Sequence, residues 1–172
     1  MRKPICILLA ALFVWLAVGV ASAGPAGAFD RQASESMLLK LINHARAKRG
    51  LASLRVNTAL DQAALSHSRA MLSHGYFSHE SIDDGSYCRR LLRAGYSSTG
   101  YRYWAVSEVI GRGAGARGTP QAIFASWMGS SYDRSVLLGK RRRDVGIGAA
   151  SGSFRGLSGS VSFTVDLGRR SK

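Results

Sequence analysis

The chain is poor in cysteine, proline and acid: it has 2 Cys, 3 Pro and 10 Asp plus Glu among 172 residues. Cys6 lies in the opening apolar stretch, so Cys88 stands alone in the rest of the chain. A lone thiol excludes an internal disulfide framework, and the domain must hold itself together by its core. Cys88 itself reads as a small, half-buried helix residue, although a Cys88-linked dimer stays open beside the expected monomer. Catalytic signatures are missing too. There is no G-x-S-x-G nucleophile elbow, and His79-Glu80 has no second histidine to make H-E-x-x-H. Gly111-Arg112-Gly113-Ala114-Gly115 departs from G-x-G-x-x-G and no β-α-β unit surrounds it, which argues against dinucleotide binding.

What remains is an ordinary globular composition. Hydrophobic residues make up 46% and charged residues 20%, which rules out wholesale disorder, collagen and coiled coil. The length suits one domain. Fifteen aromatics (3 Trp, 6 Tyr, 6 Phe) can furnish a core. The 24 Lys and Arg give a net charge of +14, a statement about partners rather than fold.

Arg2 and Lys3 precede an uncharged apolar run from Ile5 to Val20, and Ala21-Ser22-Ala23 offers small residues at a cleavage site. This pattern predicts a secretory signal peptide over residues 1–23, with an N-terminal membrane anchor as the alternative. A second cut could follow Ala28. Removal of 1–23 takes two cations and no acid, so +14 becomes +12. Residues 24–33 are expected to be a flexible leader, 34–168 the domain, and 169–172 a basic tail.

Along the domain, Ser34 is expected to cap a helix reaching Arg49, with Met37, Leu38, Leu41, Ile42 and Ala45 on one face. A second helix begins near Asn57 or Thr58 and ends at Gly75; Leu60, Ala63, Ala64, Ala70 and Met71 form its buried stripe. A loop spans 76–86, a short helix 87–94, and a strand 104–110. Four glycines predict a loop over 111–118. Thr119-Pro120 caps a helix running to about Met128. Two β-rich runs, 144–150 and 160–167, flank a Gly/Ser stretch, 151–159, read as a hairpin loop. Helices first and an antiparallel sheet last argue an α+β domain.

Two residues resist a purely structural explanation. His79 sits in a loop, and Glu108 is a carboxylate inside an otherwise apolar strand, costly unless paired. Together they could be half of a metal site or, for Glu108, a salt bridge to arginine. His67 falls on the buried face of the second helix and reads as a hydrogen-bonded core residue. Lys140-Arg141-Arg142-Arg143 is a run of four cations, suited to anionic cell-wall polymers or lipid headgroups or simply to a solvated face. Export makes nucleic acid an improbable partner.

These pieces resemble the bacterial branch of the CAP superfamily (cysteine-rich secretory protein, antigen 5, pathogenesis-related 1; SCP-like) over residues 34–168. The resemblance is carried by Leu41-Ile42-Asn43-His44-Ala45-Arg46, Arg49-Gly50-Leu51, Ala64-Leu65-Ser66-His67-Ser68-Arg69-Ala70-Met71, Gly75-Tyr76-Phe77-Ser78-His79, Arg90, Gly95-Tyr96, Ser107-Glu108, Trp127-Met128-Gly129-Ser130 and Val145-Gly146-Ile147-Gly148. It implies an α-β-α sandwich with a small antiparallel sheet flanked by helices. It also implies a cleft that in many members holds a divalent cation, zinc or similar, between two histidines and acids. His79 and Glu108 match the first histidine and the Glu. Asp133 stands where the second histidine belongs, Ser131 where a proline does, and Val109 where an Asn follows the Glu. The resemblance thus implies a modified cleft of His79, Glu108 and Asp133. The expected function is an exported binding module, secreted or associated with the cell envelope and acting there or outside the cell, with no assigned catalytic residue. The alternative is a metal-assisted hydrolase of peptide or cell-wall substrates using that cleft.

Overall fold

The computed structural model describes residues 29–172; the expected signal peptide, its two cleavage positions and Cys6 lie outside them. Helix α1 runs Arg31–Ala47, β1 is Arg55–Val56, α2 is Thr58–Ser73 and α3 is Tyr87–Arg93. Strand β2, Tyr103–Ala114, leads through a 3-10 turn at Gly115–Gly118 into α4 (Pro120–Gly129) and α5 (Ser131–Leu137). Strands β3 (Asp144–Phe154) and β4 (Leu157–Ser171) close the chain.

The sheet order is β1-β3-β4-β2. The three long strands are antiparallel, as expected, but the two-residue β1 adds in parallel to β3, so the sheet is mixed. One face carries Val109, Val145, Ile147, Phe163, Val165 and Leu167 against Leu38 and Ile42 of α1, Ile123 and Trp127 of α4 and Leu137 of α5. The other face lies under α2. There Gly146 and Gly148 bring helix and sheet together: a Cβ on Gly146 would sit 2.0 Å from Leu60 C, and one on Gly148 would sit 2.1 Å from Leu65 N. Backbone-to-backbone packing this close admits no side chain. The result is the α-β-α sandwich.

Several boundaries differ from expectation. Helix α1 starts at Arg31 because the Asp30 side chain, not Ser34, accepts from the Ala33 amide at 2.9 Å. Arg31 to Ala33 therefore belong to the helix rather than to a leader. Within α1, Met37 is 37% exposed, whereas Arg46 is fully buried. Asn57 caps α2 as expected. The glycines of 111–118 do not all make a loop. Gly111 and Gly113 extend β2, because a Cβ at Gly111 would meet Ile123 at 2.8 Å and one at Gly113 would meet the Arg117 carbonyl at 2.1 Å. Gly111 and Gly113 serve close approach, whereas Gly115, with φ 53°, serves the turn. Nor is 151–159 a loop: β3 and β4 continue to the Phe154–Leu157 pair, and Arg155 and Gly156 turn with φ 49° and 85°. Positive φ at both central residues is the geometry that matches strand twist in a two-residue hairpin. Arg169 and Arg170 lie within β4 rather than in a tail. Helix α5, absent from the sequence reading, is capped by Ser130, whose hydroxyl accepts from the Asp133 amide at 3.2 Å.

Candidate functional site

Glu108 and Arg90 organise a polar cleft at strand β2. Val109 points into the α1/α4 core, so by alternation Glu108 points to the α2 and α3 face. There its carboxylate is buried and both oxygens are engaged. Oε1 accepts from His79 Nδ1 at 2.7 Å. Oε2 forms an ion pair with Arg90, which α3 presents at 3% exposure. Arg90 also donates to Ser81 Oγ at 2.6 Å. Ser81 Oγ stands 3.2 Å from His67 Nδ1, while His67 Nε2 donates to the Ser78 carbonyl at 2.9 Å. One guanidinium thus connects the two histidine environments.

Those environments push the two imidazoles in opposite directions. The Glu108 hydrogen bond raises the His79 pKa above its ordinary value, against partial burial. Burial of His67 lowers its pKa to about 4, so it is a neutral core histidine, as expected. The buried Asp166 stands opposite Glu108 in the β2–β4 ladder. Burial first, and the Glu108 charge second, raise its pKa well above the carboxylate range.

Of the three expected cleft residues, the fold joins His79 directly to Glu108. Asp133, in the first turn of α5, is close enough for its charge to raise the His79 pKa, but its carboxylate makes no hydrogen bond to either partner. Among the described residues, no three His, Cys, Asp or Glu side chains converge in a metal-holding group. The pair that does form, His79 with Glu108, offers few free donor atoms. Glu108 spends its oxygens on His79 and Arg90, the Arg90 guanidinium already supplies the positive charge, and His79, whose Nδ1 faces Glu108, keeps Nε2 as its one remaining ring nitrogen. Cys88 is half-buried and unbridged.

Sequence reasoning missed Asp166 and Arg46. The signal for Asp166 was the one used for Glu108, an acid inside an apolar strand run. The signal for Arg46 was its spacing four residues after Ile42, on the buried stripe.

The expected cationic run faces a different place. Lys140, Arg141 and Arg143, with Arg169 of β4, line an open recess of about 330 Å³ completed by Tyr103 and Ser171. Arg142 turns away and donates to the Val106 carbonyl at 3.4 Å. Tyr103 precedes Glu108 by five residues, which separates recess and cleft by about 17 Å along β2.

A sheet sandwiched between helices, with a buried Glu on β2 bonded to a loop histidine, defines the class of small α-β-α domain to which this chain belongs. The family model described as the cysteine-rich secretory protein family (CAP) matches residues 39–165, and the chain is a member of that family. Solved structures agree in fold. An extracellular protein containing an SCP domain from Bacillus anthracis matches at TM-score 0.64 and 22% identity, over 83% of this chain and 41% of that one. An outer surface protein from Borrelia burgdorferi matches at TM-score 0.67 and 15% identity, over 83% and 96%. A cysteine-rich secretory protein from Staphylococcus aureus matches at TM-score 0.59 and 17% identity, over 85% and 41%. The chain therefore spans about two fifths of the Bacillus and Staphylococcus proteins. No curated protein matches it. Among the described residues, no helix is long and apolar enough to cross a membrane.

Proposed function

We propose that this CAP domain is an exported, non-catalytic module that binds an anionic component of the cell envelope. The observation that carries the reading is the recess. Lys140, Arg141, Arg143 and Arg169 line it together, and none of them pairs with a carboxylate among the described residues. Four unneutralised cations in one concavity favour a polyanion over a neutral ligand. The expected signal peptide and the extracellular or outer-surface character of the similar bacterial proteins support export.

Co-sedimentation with isolated anionic cell-wall material tests this reading. A Lys140→Glu, Arg141→Glu, Arg169→Glu variant should bind at least about tenfold more weakly than wild type, since each 1.4 kcal/mol of lost attraction is a factor of ten. Raising the salt should weaken wild-type binding, because exposed charges are screened. Equal retention of variant and wild type would overturn it.

A further inference from the structure

We infer that the recess between the 139–143 loop and the ends of β2 and β4 is a phosphoryl-binding site, shaped for a phosphomonoester or two adjacent phosphates. The inference rests on the anion-binding reading above and names its ligand chemistry.

The first support is the lining. Every polar side chain in it, the four cations and the hydroxyls of Tyr103 and Ser171, can donate a hydrogen bond, and none is a carboxylate. The nearest acid in sequence, Asp144, is committed elsewhere: Tyr96 Oη donates to it at 2.7 Å. Three of the four cations are arginines, whose planar forks match phosphate oxygens better than a lysine point charge does. A carboxylate would bring one negative charge, whereas a phosphomonoester brings about −1.5 to −2 and three acceptor oxygens.

The second support lies behind the recess. Arg46 is fully buried and has no acidic partner. Its guanidinium donates solely to carbonyls: Leu137 at 2.7 Å, Ala52 at 3.0 Å, Gly139 at 3.2 Å and Arg142 at 3.3 Å. Burial and the neighbouring Arg143 charge both lower its pKa. A buried cation beside lining cations, with no counterion, leaves a positive field that a multivalent anion would neutralise.

The third support is rigidity. Arg46 staples the loop from inside. The Arg143 amide donates to the Gly168 carbonyl at 2.9 Å, and the Arg143 carbonyl accepts from the Arg55 amide at 2.8 Å. Arg143 Nη1 donates to the Lys140 and Arg142 carbonyls, each at 2.8 Å. Arg143, fixed in this way with both Nη1 hydrogens on carbonyls, keeps Nη2 and Nε for an anion and loses little freedom when one arrives.

The test is a thermal-shift titration of the purified protein with inorganic phosphate and with pyrophosphate, against sodium chloride at equal ionic strength. A ligand that binds the native state raises the melting temperature saturably. Both phosphates should do so and chloride should not. The double variant Arg141→Gln, Arg169→Gln should raise the half-saturating phosphate concentration at least about tenfold. Lys48→Gln, Arg117→Gln removes the same charge from exposed sites elsewhere and should leave that concentration unchanged. Co-sedimentation with a phosphate-bearing wall polymer and with phosphatidic acid vesicles then separates the two natural sources of the group. Equal shifts with chloride, or an unchanged shift in the recess variant, would overturn the inference. If wall binding still falls with charge reversal in that case, the anion-binding reading survives and the phosphoryl assignment alone fails.

Discussion

Asp166 lies directly across the β2–β4 ladder from Glu108, fully buried, with neither carboxyl oxygen hydrogen-bonded. Two carboxyl groups side by side in a low dielectric cannot both ionise cheaply. Arg90 pairs with Glu108, while burial and the Glu108 charge push the Asp166 pKa up and favour its neutral form. In the unfolded chain Asp166 would ionise near pH 4. Its raised folded pKa means that stability is fullest below that pH and declines as pH rises toward the folded value. Asp166→Asn carries no such titration. Its urea midpoint should gain on wild type as the pH rises above about 4. A constant or shrinking difference would mean that Asp166 is ionised in the fold.

The histidines should titrate apart. By NMR, the His67 imidazole should hold its Nε2 proton and protonate only near pH 4. His79 should titrate above the usual histidine value, about 6.5. The signs differ for stability. His67 costs stability as pH falls from about 6.5 to about 4, because the unfolded chain takes up the proton first. His79 contributes stability below about 6.5 that is lost as pH rises through its folded pKa.

Arg90→Met should destabilise the domain by about 3–5 kcal/mol, since it strands a buried carboxylate. The double variant Arg90→Met, Glu108→Leu removes both charges and should recover part of that loss in urea denaturation. A single variant as stable as wild type would show that the pair contributes nothing.

Gly148→Ala should cost about 3 kcal/mol or more, because the new Cβ meets the α2 backbone, which has no room to shift. Gly152→Ala is the internal contrast. Its Cβ would lie 3.7 Å from Leu72 Cδ1, an ordinary contact, and the cost should be within about 0.5 kcal/mol. Equal melting temperatures for the two variants would contradict the close helix–sheet approach.

Much of this architecture was legible residue by residue. Asn57 announced the cap of α2, Thr119-Pro120 the start of α4, and Glu108 inside an apolar strand the need for a partner. What misled were residues whose local preference was overruled by packing. Gly111 and Gly113 read as flexible, yet they lie in a strand because Trp127, Ile123 and Arg117 leave no space for a side chain. Ser151 and Gly152 read as a loop, yet they pair across to β4, and after a register shift at Ser153 a two-residue turn reverses the chain. The cleft was half legible: pattern indicated His79 and Glu108, but not that Arg90, 18 positions away in sequence, would occupy the second Glu108 oxygen. Lys140 to Arg143 read as one uniform cationic run. The fold divides it, sending Arg142 to the β2 edge and the other three to the recess with Arg169.

Backbone NMR with inorganic phosphate measures directly where an anion settles. Saturable shifts should concentrate at the amides of Arg141, Arg143, Arg169 and Ser171, with His79 and Glu108 little changed. Shifts centred on His79 and Glu108, or spread evenly over the basic surface, would contradict binding in the recess.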